Sequence, residues 1–138
     1  MHERIANSEA LVRIFGDWPS FHDAEVRAVQ LDIAEATNLP SLEASIHLWV
    51  MTSEVDDAGY LVLRSHTLAR LRFAGIADLS LDSFDGQNVL WDIEIEPLVD
   101  PERPHLAWSV AMPASAGMAA TFLCAGIAVV SAVPFPDP

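Results

Sequence analysis

Apolar and polar residues alternate with a period of two along most of this chain, but only after an N-terminal stretch with a different rhythm. From Ser8 to Ile14 the apolar Leu11 and Ile14 stand three apart, which places them on one face of a short helix. Ser8 is the expected N-cap, Glu9 suits the first turn, and Gly16 ends the helix. Asp17 to Asp23 then reads as a turn, in which Pro19 fixes its own φ and biases Trp18 toward an extended backbone.

Period two begins at Ala24. The first predicted strand, Ala24 to Ile33, changes the parity of its apolar set between Val26 and Val29, so a bulge is expected at Arg27 or Ala28. Leu42, Ala44, Ile46, Leu48 and Val50 alternate with Glu43, Ser45, His47, Trp49 and Met51, the pattern of a half-buried strand. Tyr60 to Phe73 predicts a long third strand, with Leu71 and Phe73 opposed by Arg70 and Arg72, and Ala77 to Phe84 a short fourth. After the Asp85-Gly86 turn signal, Val89, Trp91, Ile93 and Ile95 form an apolar face backed by Leu90, Asp92, Glu94 and Glu96. Leu106 to Met112, Met118 to Cys124 and Ile127 to Val133 supply the last strands.

The connections are Ala36 to Pro40, Thr52 to Gly59, Asp100 to Pro104 and Pro113 to Gly117, too short for parallel crossovers. The fold class is therefore α+β, mostly β: an antiparallel, meander-like sheet of about six to eight strands with one short N-terminal helix. No repeat or linker divides the chain, and 138 residues can bury a self-sufficient core as a single domain, 1–138.

Charge narrows the partners. Twenty Asp and Glu stand against seven arginines and no lysine, for a formal net charge of −13. Phosphate binding depends on cations that displace counterions, so free nucleic acid is a poor partner. A basic protein is drawn in by the same field, while excess acid equally serves solubility. Charge alone leaves both readings open.

The lone cysteine, Cys124, lies in the apolar run Phe122-Leu123-Cys124-Ala125 and reads as a buried small hydrophobe, which suits a reducing cytoplasm. Met1 to Ala10 carries Glu3, Arg4 and Glu9 and has no signal-peptide core, so a cytoplasmic location is expected. No Asp, Glu, Lys or Arg occurs from His105 to Pro136. Pro113, Gly117, Gly126 and Pro134 break that region below spanning length, and two buried strands explain it better than a membrane helix.

His22 and Asp23, with His47 and His66, are the side chains that could form a metal-dependent or acid–base centre. No metal-ligand spacing, Gly-rich phosphate loop or nucleophile elbow accompanies them, and neither a metal nor a cofactor is expected. The competing reading is structural: His22 and Asp23 bond the turn backbone ahead of the first strand. Trp18, Pro19 and Phe21 seat that turn on the sheet. Gln87 and Asn88 bond backbone groups after Asp85-Gly86, in a stretch that lacks the spacing and terminal Glu of a calcium loop. Asp17 and Glu25 have no evident structural duty; Glu54, Asp56 and Asp57 form an acidic loop tip, and Asp92, Glu94 and Glu96 an acidic strand face. These eight carboxylates are the candidate docking residues for a basic partner, and solvated charge is the plainer alternative.

The string Trp18-Pro19-Ser20-Phe21-His22-Asp23-Ala24-Glu25-Val26 resembles the opening motif of a bacterial family, immunity protein 50. Phe73-Ala74-Gly75-Ile76-Ala77-Asp78-Leu79-Ser80-Leu81, followed by Phe84, Gln87 and Asn88, is similar to a second segment of that family, and Phe122-x-Cys124 to a third. The resemblance implies a cytoplasmic antidote that binds a cognate bacterial toxin and blocks it, with no catalytic residues to carry over. The acidic balance, and not the motif, favours a basic target such as a nuclease. Two readings compete with it: a structural or homodimeric binding module that uses an exposed strand edge, and a small metal-dependent enzyme centred on His22, Asp23, His47 and His66.

Overall fold

The computed structural model describes residues 2–136. A short 3-10 turn, His2–Arg4, precedes α1 (Glu9–Phe15) and the strands β1 (Glu25–Ala34), β2 (Leu39–Val55), β3 (Leu61–Ala74), β4 (Ala77–Asp82) and β5 (Val89–Leu90). There follow β6 (Glu94–Pro97), β7 (Trp108–Met112), β8 (Ala114–Ala116), β9 (Ala119–Cys124) and β10 (Gly126–Pro134). The fold is mostly β with one N-terminal helix, and every pairing between strands is antiparallel. The strands form two sheets where one meander was expected: β10-β3-β2-β1-β5-β8 and β4-β9-β7-β6.

The core lies between the sheets. Leu42, Ala44, Ile46 and Leu48 of β2 and Ala69, Leu71 and Phe73 of β3 point into it from one side. Trp108, Val110 and Met112 of β7 and Ala120, Phe122 and Cys124 of β9 point in from the other. Phe73 and Phe122 meet edge to face with 5.0 Å between centroids, an arrangement that adds about 0.5–1.5 kcal/mol to the area they bury. The uncharged C-terminal run thus supplies four strands, β7, β8, β9 and β10. Among the described residues no helix is long and apolar enough to cross a membrane.

The parity change in β1 is a bulge: Val26 faces Ile46 and Ala28 faces Ser45, leaving Arg27 as the extra residue. The helix differs from expectation at its start. Ser8 is helical itself (φ −59°, ψ −28°) and makes no side-chain cap; its carbonyl accepts from the N–H groups of Leu11 and Val12, and its own N–H donates to the Ile5 carbonyl. Gly16 closes the helix in the left-handed region and donates to the Val12 carbonyl at 2.7 Å.

The strand expected over Val89 to Glu96 is two strands in different sheets. β5 pairs with β8 in the larger sheet and β6 with β7 in the smaller, so a two-stranded ribbon turns a corner. Pro113, between β7 and β8, has no N–H with which to continue the ladder, and its carbonyl takes the Trp91 N–H at 2.8 Å. The corner throws Trp91 outward, 58 % exposed, while Leu90, Ile93 and Ile95 stay buried. The link Pro113 to Gly117 therefore contains β8, and β2 runs four residues into the expected Thr52 to Gly59 loop, to Val55.

Edges are treated unequally. Ala6 bridges Ala128 of β10, donating to the Ile127 carbonyl and accepting from the Val129 N–H. β1 meets β5 only at Glu25 and Val89, so among the described residues Ala28 to Ala34 has no strand on its outward side.

Candidate functional site

The motif turn is tied to the corner residue by residue. The Asp23 N–H donates to the Leu90 carbonyl at 2.9 Å, His22 Nδ1 lies 2.7 Å from the Trp91 carbonyl, and the Phe21 N–H donates to Asp92 Oδ1 at 3.2 Å. Since a carbonyl only accepts, Nδ1 carries the proton, and Nε2 is left 3.6 Å from Asp23 Oδ2 in solvent-exposed surroundings. The His22 ring stands edge-on to Trp91 at 4.7 Å. Phe21 is fully buried, Trp18 leans on it at 5.8 Å, and His2 stacks on Trp18 at 6.2 Å. Pro19 is half-buried in the same turn.

Asn88 anchors the next turn. Its Oδ1 accepts from the N–H groups of Asp85 (2.8 Å) and Met118 (3.0 Å), and its Nδ2 donates to the Asp85 carbonyl. The Gln87 side chain, expected to bond backbone groups, makes no hydrogen bond among the described residues; its carbonyl oxygen lies where a Cβ on Gly117 would come within 2.2 Å.

The candidate carboxylates divide by what they already hold. Asp17 accepts the Trp18 N–H at 2.7 Å, and Asp56 accepts those of Ala58 and Tyr60 at 3.0 and 2.9 Å within its own hairpin turn. Asp92 takes two, from Phe21 and from Ile93. Glu25 is bonded to Arg27 and Glu54 to Arg64. Asp57, Glu94 and Glu96 are exposed and have no ion pair or side-chain hydrogen bond among the described residues. Five of the seven arginines, Arg27, Arg64, Arg70, Arg72 and Arg103, face carboxylates of the chain itself, so the surplus acid is left without internal cations.

Glu94 and Glu96 stand on β6, the edge of the smaller sheet, with their side chains on its outer face. Opposite them lie Ala111 and Ser109, and beyond these Thr121 and Leu123, so the residues paired with the two acids have short side chains. Trp91 stands at the corner just before this strand. An exposed aromatic residue thus precedes, by three and five positions along the chain, two acids that no cation among the described residues neutralises.

His22, Asp23, His47 and His66 do not come together as one centre. They form two pairs, and among the described residues no three His, Cys, Asp or Glu side chains are grouped to hold a metal. His47 Nε2 lies 3.0 Å from His66 Nδ1 on the outer face of the larger sheet, under a stacked Phe135 at 4.1 Å and beside Trp49 at 4.9 Å. Burial, then the neighbouring His66, hold His47 below the ordinary histidine range against the opposing pull of Glu25. Elsewhere on that face Arg70 and Arg72 converge on Glu43 and hold its carboxyl below the usual range. Cys124 is buried and its thiol is pushed up to about 12 by burial, which leaves no nucleophile there.

The motif turn, the Asn88 turn and the Phe122-x-Cys124 strand thus meet around one corner and one core. A family model described as immunity protein 50 matches residues 7–135. The chain belongs to the immunity protein 50 family. No curated protein and no solved structure matches it. In this immunity protein 50 chain the motif residues are the fastening between the first strand and the corner, and the exposed product of that fastening is Trp91. Trp91 was not among the expected site residues; Pro113, which faces it across the ribbon, is the sequence signal that marks the corner.

Proposed function

We propose that this immunity protein is a cytoplasmic, non-catalytic antidote that binds one cognate bacterial toxin stoichiometrically and blocks it. Membership of the family supports the immunity role, and the observation that carries the binding mode is the pairing of exposed Trp91 with Glu94 and Glu96. Trp is enriched among residues that dominate binding energy, and unneutralised carboxylates around it attract a basic surface. A toxin that acts on nucleic acid carries such a surface where it grips phosphates, so an acidic face can occupy it. Asp57 at the β2–β3 hairpin tip adds charge away from that face.

The toxin domain encoded beside this chain is the test partner. Co-expression is expected to protect cells, and light scattering to show a one-to-one complex that weakens as salt rises. Absence of both protection and complex would overturn the reading. A complex that ignores salt and survives Trp91→Ala would keep the antidote role and remove this face from it.

A further inference from the structure

We propose that two copies of this chain pair antiparallel through the outward edge of β1, with Leu31 facing Leu31 of the second copy across a two-fold axis. The inference does not depend on the toxin. It starts from an edge that the fold leaves open: from Ala28 to Ala34 no strand covers β1, and Leu31 and Ile33 are 54 % and 60 % exposed. A long apolar edge is a template for another strand. The other edges are shorter or blocked. β8 has three residues, β6 carries Glu94, Glu96 and Pro97, β4 has six residues with Asp78 and Asp82 among them, and Ala6 bridges β10.

The sequence of this edge is complementary to itself. Read in either direction, Val29-Gln30-Leu31-Asp32-Ile33 alternates apolar and polar residues about Leu31. Antiparallel pairing centred on Leu31 sets Val29 against Ile33 of the second copy on one face and Gln30 against Asp32 on the other. Gln30 Nε2 already donates to Asp32 Oδ2 of its own strand at 2.7 Å, and its second N–H is available to the second copy's carboxylate. Antiparallel ladders have two-fold axes through both kinds of residue pair, so a symmetric register exists whichever way the Leu31 backbone points. On the apolar face, Leu81 and Phe84 join Val29 and Leu31 around an open cleft of the kind a second set of aliphatic side chains would close. Little charge guards the edge, since its one carboxylate, Asp32, is already bonded to Gln30. This favours a like partner over a basic toxin strand.

Single cysteines in the full chain test the register, because the native Cys124 is buried and its thiol is pushed up to about 12. Paired residues stand about 4.5–5.5 Å apart, within disulfide range. Leu31→Cys is therefore expected to form a cross-linked dimer under mild oxidation. Gln30→Cys and Asp32→Cys are expected not to, since each is displaced from its own counterpart by two residues, about 7 Å along the strand. Light scattering of the unmodified chain should show a concentration-dependent dimer that tightens with salt, because each copy carries −13. Ile33→Lys should weaken that self-association by more than about tenfold with unchanged circular dichroism. A monomer at every concentration, or equal cross-linking of all three cysteines, overturns the proposal. So does a monomer whose Ile33→Lys variant loses only toxin binding, which gives the edge to the toxin.

Discussion

The Asp92 carboxylate accepts the N–H of Phe21 at 3.2 Å, across 71 residues of chain, and with the same oxygen the N–H of Ile93 at 2.8 Å. A residue whose charge suggests a docking role is thus a bracket between the motif turn and the sheet corner. Asp92→Ala leaves two backbone donors without their acceptor and is expected to cost about 1–2 kcal/mol in urea unfolding. Toxin affinity of the folded fraction should change little. An unaltered urea midpoint with lost binding would reverse the assignment.

Gly117 is the tightest of the glycine positions. Its φ of +73° and the 2.2 Å approach of the Gln87 carbonyl to a Cβ leave no room for alanine. Gly117→Ala should destabilise the fold by about 2 kcal/mol or more, while Gly86→Ala, with nothing within 4 Å of its Cβ, should stay within about 0.5 kcal/mol. Thermal melts of the two variants side by side give the comparison.

Charge reversal on β6 should separate binding from folding. Glu94 and Glu96 hold no internal partner, so the Glu94→Arg/Glu96→Arg double variant is expected to keep its melting temperature and to slow association with the toxin by about tenfold or more at low salt. Glu54→Gln, where the carboxylate already faces Arg64, should leave that rate nearly unchanged. Stopped-flow association at two salt concentrations reads both.

His47 makes stability sensitive to mild acid. His47 binds its proton less tightly in the folded chain than at its ordinary value of 6.5, so acid favours the unfolded state. The stability it confers is complete above 6.5 and is lost as pH falls through the depressed folded value. His47→Gln should flatten the fall in urea midpoint between about pH 7 and 5. The Glu43 carboxyl, depressed by Arg70 and Arg72, acts in a separate window that lies below its ordinary 4.5. An equal slope in the variant would place the acid sensitivity elsewhere.

Strands, the bulge at Arg27 and the inward faces of β2 and β3 were legible in the sequence because period-two burial leaves a mark in every second residue. The division into two sheets was not. It depends on Pro113 meeting Trp91 across the ribbon, a long-range pairing that periodicity in one segment does not contain. The same limit applied to the candidate site. Asp17, Glu25, Glu54, Asp56 and Asp92 looked alike as acids, and only their spatial partners distinguish them from Asp57, Glu94 and Glu96. His22 and Asn88 bond backbone groups through their side chains, as polar residues next to a strand do, whereas the Asp23 carboxylate bonds none and only its N–H serves, to the Leu90 carbonyl.

The parallel bridge from Ala6 to Ala128 determines how far association can go. With β10 interrupted by the N-terminal segment and β8 only three residues long, the larger sheet offers one sizeable open edge, on β1. One such edge per molecule gives a closed pair, whereas two would let the sheet polymerise into a fibre. Removing the first six or seven residues would supply the second edge. The segment at Ala6 is in that sense a stopper against filament growth.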